Sequence, residues 1–577
     1  MQKTLIFLLL WCLSSHSLAN RVPDFSLIDQ NGRFHQLSRS TDKQAVVILL
    51  FDPSDPFGRA AVQEMDRLRE RFRGEPVGFQ VLVADLAQTR SSLNDLARAM
   101  DVQQLPFLLD ESQLVTQALG LSRSGEVLVV DPGRLDVIYQ GAVGLFNGNP
   151  TQQSLAATLP GMSSYLHYIL HSVTRGEPFI QAAYALNGPV VNLPALDSVR
   201  QEGVSYEQDV APILKARCAG CHQDGGVAPW SMDGHLMIQG WSTMIKETLL
   251  TRRMPPGQVD YNDAAAFEDV NHISDREMQV LMQWINDGAK KSPVEDDPLA
   301  GWSAPESGWA LGEPDVVIEL PEQQIPATGV LDYAFVPVEL NLEEDKWVSA
   351  FEFDVDNKVA LHHVIIYTQD ERQQRQNASR GGSRTNFGGY APGREYIELG
   401  SDAGILLSED MRLMIQLHYT TVGREVTDRT RLGLYFRETP PGQELVRTAI
   451  MNGDFEIPPG VREFPVEASV VISEDSYLHS FAPHMHYRGK RVAFTARYPD
   501  GREESLLSIP NFQHNWQMVY RLKEPVFLPA GTEIIAKGAF DNSSFNPLNP
   551  DPEKSVSWGE QVWDEMFLTW LRLSEAN

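Results

Sequence analysis

The sequence predicts a multidomain chain: an α/β unit, then an all-α unit, then two all-β sandwiches in series. Three observations predict it. Between residues 22 and 160, apolar strand runs alternate with a helix-period stripe. Between 203 and 291 the pattern becomes short helical segments, clearest at 207–215 and 275–289. From 313 to 577 many short β segments are bounded by Pro, Gly, Asn and Asp. At ~150 residues per domain, a 577-residue chain has room for about four domains.

The composition excludes several classes. Hydrophobic residues make up 42% and charged residues 22%, so the chain is globular rather than mainly disordered. A formal net charge of −29 argues against a nucleic-acid partner, because a phosphate backbone would be repelled. Residues 1–19 read as a secretory signal peptide: Lys3, then an apolar run from Leu5 to Leu13, then Ser17-Leu18-Ala19 before the cleavage point. The run is short of the ~20 residues a membrane span needs, so no membrane span and a periplasmic location are expected. Three cysteines make no disulfide framework, and only Cys218 and Cys221 would survive cleavage.

In the first unit, assigned to residues 20–160, Ala45 to Phe51 is a buried-strand run. Val62, Met65, Leu68 and Phe72 form a helical stripe. VPDFSLIDQNGRFHQLS, that strand and GLSRSGEVLVVD together resemble the thioredoxin-like redoxins and peroxiredoxins. That family places a reactive Cys after the first strand, and here Asp52-Pro53-Ser54-Asp55-Pro56 holds none. The family's cis-proline is replaced by Gly125. Thiol chemistry needs a thiolate, so the unit is expected to be a redox-dead scaffold. A helical connector is placed at 161–200, where His167 and His171 stand four apart, a spacing that suits packing more often than metal.

The unit at 201–295 carries Cys218-Ala219-Gly220-Cys221-His222, the C-x-x-C-H haem attachment motif. Two thiols would bond the haem, and His222 would ligate its iron. Met254, in Arg252-Arg253-Met254-Pro255-Pro256, is the expected opposite ligand, with Met232 and Met244 as competitors. The order from attachment motif to the final LMQWINDGA helix resembles a small class I cytochrome c domain. Residues 296–312 read as a linker.

Seven of fourteen histidines lie beyond residue 361. His362-His363 precedes an apolar strand, His418 lies in QLHY, and His484-Met485-His486 is an H-x-H whose imidazoles share a strand face. Met566 sits in Asp564-Glu565-Met566-Phe567. His and Met donors suit copper, especially Cu(I). Adjacent strand residues face opposite ways, so His362 and His363 need a bulge or strand end to share one ion. HH, QxHY, HxH with Gly489-Lys490, and DEM, in that order, resemble the copper type II, ascorbate-dependent monooxygenases, the peptidylglycine α-hydroxylating and dopamine β-hydroxylating enzymes.

That resemblance implies two jelly-roll-like domains, at 313–442 and 443–577, each with one copper across an open cleft. His362, His363 and His418 would hold the electron-transfer copper. His484, His486 and Met566 would be the catalytic residues, holding the copper that binds oxygen. The expected cofactors are two copper ions and one covalent haem c. The expected partners are dioxygen, a small-molecule or peptide substrate and an upstream periplasmic electron donor. The family's substrate-carboxylate anchors correspond to Ala482, Leu568 and Trp570, which cannot serve, so peptidyl-glycine is a poor substrate. The alternative reading is a non-catalytic haem/copper electron-transfer or copper-handling protein. His479 and His514 match no ligand position and read as structural.

Overall fold

The computed structural model describes residues 21–144, 162–179, 186, 188–257, 259–268, 270–293, 295–302, 308–329, 331–370, 385–390 and 395–576. The expected signal peptide lies outside them. The chain divides into two compact units, one running to Pro194 apart from Gly32–Phe34, the other from Ala195 to Asn577.

The first unit is thioredoxin-like α/β. Its five-stranded sheet has the order Phe107–Leu109, Val77–Val83, Ala45–Leu50, Glu126–Asp131, Asp136–Ala142. The first three are mutually parallel, and the last two join antiparallel. Ala45–Leu50 is buried along its whole length, as a continuous apolar run in a sheet centre should be. The helix Pro56–Arg71 starts where Asp55 accepts hydrogen bonds from the Phe57 and Gly58 amides, with Pro56 in its first turn. Its Val62, Met65 and Leu68 turn into the sheet.

The connector expected at 161–200 is divided differently. Its helix, Tyr165–Arg175, buries Tyr165, Leu166, Ile169 and Leu170 in the core of the α/β unit and belongs to it. His167 is buried edge-on to Phe72, with ring centroids 5.8 Å apart, and its Nδ1 accepts from the Ser163 amide. That is a packing role.

The turn that faces the start of helix Pro56–Arg71 is closed by backbone. Gly125 has φ +80°, which a proline ring cannot adopt. Residues 188–191 lie along 122–124: the Ser124 amide donates to Pro189 O at 3.0 Å, and the Val191 amide to Ser122 O at 2.9 Å. A Cβ on Gly188 would fall 1.9 Å from Ser124 O.

In the second unit, helices Ala211–Arg217, His235–Leu250 and Asp275–Asn286 form a small cluster. Tyr206 stacks on Trp284 at 5.6 Å and meets His235 at 4.9 Å, locking the first helical turn to the last helix. This cluster is not the free-standing all-α unit expected from the sequence. Val259, Ala264 and Phe267 are buried in the core of the C-terminal sandwich. The Asp260 amide donates to Ser508 O, and the Lys523 amide to Ala266 O, both at 2.9 Å.

Two β-sandwiches follow. The first faces a four-stranded sheet, in the order Ala334–Glu339, Met411–Tyr419, Leu361–Asp370, Thr385–Tyr390, with a sheet built around Lys346–Asp354 and Arg431–Arg437. The second faces Val446–Asn452, Phe567–Glu575, Ser476–His484, Tyr520–Leu528 with Phe464–Val471, Glu533–Phe540, Gly489–Arg497, Glu503–Ile509. No described helix is long and apolar enough to cross a membrane.

Gly188→Ala should undock residues 188–191, because the clash is with backbone that cannot rotate away. Hydrogen exchange at the Ser124 and Val191 amides should accelerate about ten-fold or more, a local loss of roughly 1.4 kcal/mol. Unchanged exchange at both amides would contradict the docking.

Candidate metal and haem centres

The strand Leu361–Asp370 is regular except at its start. Leu361 pairs with Tyr419 and His363 with His418, so His362 is an extra residue with no rung of its own. This bulge turns two neighbouring imidazoles to one side. The Nδ1 atoms of His362 and His363 lie 3.0 Å apart, and those of His418 and His363 3.4 Å. All three residues offer nitrogens within 4.8 Å of one another. His363 and His418 are each 5% exposed, and the Tyr333 ring packs 4.8 Å from His418.

Burial holds these rings neutral. It lowers His362 to about 4 and His418 to about 3, and it puts His363 well below the ordinary value, with neighbouring imidazoles adding to the shift. Two neutral Nδ1 atoms 3.0 Å apart share one proton in an N–H···N bond or, with both hydrogens on Nε2, present two lone pairs to a common cation. The donor set therefore fits a soft or borderline metal ion.

The second group sits where Ser476–His484 ends. The Nε2 atoms of His484 and His486 are 3.2 Å apart. His484 Nδ1 donates to Gln517 Oε1, which fixes the tautomer that leaves Nε2 free for a metal. Met566 comes two residues before Leu568, which pairs with His484. The chain thus brings the end of HxH and the start of the last strand together, and imidazole plus thioether donors there fit copper.

Glu565 is a residue that the sequence analysis missed. It is fully buried and accepts from the backbone amides of His486 at 2.9 Å, Arg488 at 2.6 Å and Met566 at 3.2 Å. Burial pushes its carboxyl up to about 8, against the pull of those amides and of Arg488. The buried Arg488 in turn donates to Asn542 Oδ1 and Trp563 O. One carboxylate thus ties the HxH loop to the methionine segment. The only signal in the sequence was its place in DEM.

His514, read as structural, lies between the two groups. Its ring stacks on His362 at 5.8 Å and meets His486 edge-on at 6.1 Å. Gln517 Nε2 lies 3.3 Å from His514 Nδ1. The open cleft that the resemblance implied is filled at this point by a residue 3% exposed. His479 bonds Ser574 Oγ at 2.8 Å, farther along the same two strands that bring His484 and Leu568 together.

At the haem motif, helix Ala211–Arg217 ends at Cys218, and the His222 amide donates to Cys218 O. His222 Nδ1 bonds the Trp230 carbonyl at 3.1 Å, so Nε2 is the nitrogen available to an iron. Trp230 also stacks on Trp241. Burial pushes Cys218 up to about 12 and raises Cys221, so as free thiols they are poor nucleophiles. The motif fits a covalently held haem. Met254 is half-buried in the turn after helix His235–Leu250. Met232 is buried, its amide donating to His222 O, whereas Met244 is 45% exposed. The Cys221 thiol feels the charges of Glu395 and Lys358, both on the first sandwich.

No family model matches the chain, and no curated protein does. Solved structures do. A hypothetical protein, SMc02350 of Sinorhizobium meliloti, is 19% identical, covering 30% of this chain and 94% of its own, with a TM-score of 0.25. Peroxidoxin BcpB of Mycobacterium tuberculosis is 19% identical over 22% of this chain and 84% of its own, with a TM-score of 0.19. The exposed lipoprotein thioredoxin Etrx1 of Streptococcus pneumoniae is 17% identical over 24% and 97%, with a TM-score of 0.20.

Glu565→Ala should strand two buried amide donors, those of His486 and Arg488, at about 1–3 kcal/mol each, and a half-buried one at Met566. Unfolding free energy should fall by roughly 3 kcal/mol or more in denaturant melts. A loss below about 1 kcal/mol would show that the two segments hold together without it.

Proposed function

We propose that this chain is an exported, periplasmic copper-dependent monooxygenase that hydroxylates a C–H bond, with electrons drawn through its own covalent haem c. One observation carries the reading. Two groups of imidazoles, on separate sandwiches and with ring nitrogens turned inward, approach one another around the buried ring of His514. His362, His363 and His418 would hold an electron-transfer copper. His484, His486 and Met566 would hold an oxygen-binding copper. Cys218 and Cys221 would carry the haem, with His222 and Met254 on its iron. Bound copper would supply one-electron storage at the first site and dioxygen activation at the second. The net change is R–H + O2 + 2 e− + 2 H+ → R–OH + H2O.

The chain's own residues would orient and shield. Gln517 holds the His484 ring, and Glu565 holds the loop carrying His486. Tyr333 and His514 exclude water from the first group. The nearness of Cys221 to Glu395 and Lys358 supports electron entry at the three-histidine group, because Lys358 lies just before the bulged strand. A second reading, a non-catalytic haem/copper electron-transfer or copper-handling protein, is favoured by one observation: Ala482, Leu568 and Trp570 offer no polar anchor beside His484.

Metal content and X-ray absorption test both. Protein matured with copper and haem should hold two coppers and one haem that survives denaturing electrophoresis. Cys218→Ala with Cys221→Ala should abolish that haem stain, and His484→Ala should remove one copper. The reduced protein should show a sulfur scatterer in its copper shell that disappears in Met566→Leu. A nitrogen-only shell, or zinc in place of copper, would reject the monooxygenase assignment. Two coppers with no oxygen consumption toward any candidate substrate would favour the second reading.

A further inference from the structure

The last strand, Phe567–Glu575, has two unlike faces. Phe567, Leu571 and Leu573 enter the sandwich core. Leu568, Trp570 and Arg572 alternate onto the other face. Pairing extends that face over three strands. Leu568 stands between His484 and Met451, Trp570 between Ala482 and Ala449, and Arg572 between Ser480 and Arg447. The face therefore runs from a metal-ligand candidate, across an apolar strip, to two arginines side by side. Four residues of strand separate the His484 rung from the arginine rung, about 14 Å at ~3.4 Å per residue. The strip is reachable, since Leu568, Trp570, Ala482 and Ala449 are all partly exposed.

The arginine end is unusual in its charge. Arg572 is 7% exposed, and its Nη2 donates to Phe387 O at 2.7 Å. Its Nη1, with Nε and Nη1 of Arg447, is shut off from solvent and has no hydrogen-bond partner among the described residues. A third cation, Arg521, adds to the downward push on Arg572, and it bonds Glu268 and Glu398 O. Tyr367 lies close enough to Arg447 to act on it. Burial lowers Arg572 to about 10, and Arg447 well below the ordinary guanidinium range. Like charges paired directly across two strands repel, and an uncompensated buried charge is costly. Planar forks with free N–H groups recognise carboxylates and other oxyanions.

We propose that Arg447 and Arg572 form an oxyanion site that takes the carboxylate of an elongated, otherwise apolar substrate, whose chain lies over Trp570 and Leu568 toward His484. The site itself stands on the arginines alone. Its assignment to a substrate rests on the monooxygenase reading above. The substrate class is then an amphipathic acid, hydroxylated far from its charged end. This separation explains why no cation is needed beside His484, where Ala482 stands.

The test needs no copper. Full-length haem-loaded protein is titrated calorimetrically with decanoate, with decanol and with inorganic sulfate. Decanoate should bind about ten-fold or more tighter than decanol, because a buried charge-assisted pair is lost with the alcohol. Sulfate should compete with decanoate. Arg572→Met and Arg447→Met should each weaken decanoate about ten-fold or more, while thermal melts hold or rise, because an unpaired buried charge has been removed. Equal binding of acid and alcohol, or undiminished binding in the methionine variants, would overturn the proposal. Sulfate binding without decanoate binding would overturn the substrate assignment and leave an inorganic-anion site. Decanoate binding by protein that takes up no copper would support the anion site and count against the monooxygenase reading instead.

Discussion

One extra residue in one strand sets the geometry of the two histidine groups. A regular strand sends neighbouring side chains to opposite faces, so His362 and His363 could not meet without an interruption. The bulge at His362 supplies it and leaves His363 opposite His418. From that rung the rest follows. Tyr333 covers the His418 side, and the His362 ring reaches far enough to stack with His514 from the other sandwich. Restoring the register would turn one imidazole into the core and sever the stack.

The two histidine groups are held by different means. The first is fixed by strand register on both sides, with Leu361–Asp370 paired along Met411–Tyr419. The second begins at the end of a strand and continues into a loop, where register no longer dictates position. Side chains do that work. Glu565 binds the loop amides, Arg488 binds Asn542 and Trp563 O, and Gln517 sets the His484 ring. A site held by backbone ladders is stiff. One held by a buried carboxylate and an amide depends on those few hydrogen bonds, each costly to leave unmade.

Local patterns were the legible part of this sequence. The run Ala45 to Leu50, the stripe on Pro56–Arg71 and the turn-bounded β segments after 313 all translate into elements. The H-x-H spacing did not work through strand period: the strand Ser476–His484 stops at His484, and His486 lies in the following loop, placed by the bond of its amide to Glu565. The parts that sequence reading misplaced depend on distant partners. Tyr165–Arg175 reads as a connector until the sheet it covers is known. Residues 259–268 fall inside the stretch assigned to the all-α unit, yet Phe267 bridges to Leu522 and fills a core more than two hundred residues away. Nothing around His514 distinguishes it from a surface loop histidine; only the approach of His362 does. The arginine pair was likewise invisible, because Arg447 and Arg572 are 125 positions apart and meet only through strand pairing.

The α/β unit closes the corner at the start of helix Pro56–Arg71 in more than one way. A cysteine at the start of helix Pro56–Arg71 would profit from the helix N-terminus, which stabilises a thiolate. Here that end is capped by the carboxylate of Asp55. On the facing turn, Ser124 Oγ accepts from the Asp52 amide, and Gly125 takes a left-handed backbone conformation. Residues 188–191 then lie along that turn, with Gly188 too close to Ser124 O to carry a side chain. Restoring a cysteine alone would therefore not restore a thiol site. The helix end would already hold an anion, and the backbone on the facing turn would still lie where a disulfide partner has to approach. What remains is the sheet and its helices, with this corner filled by packing.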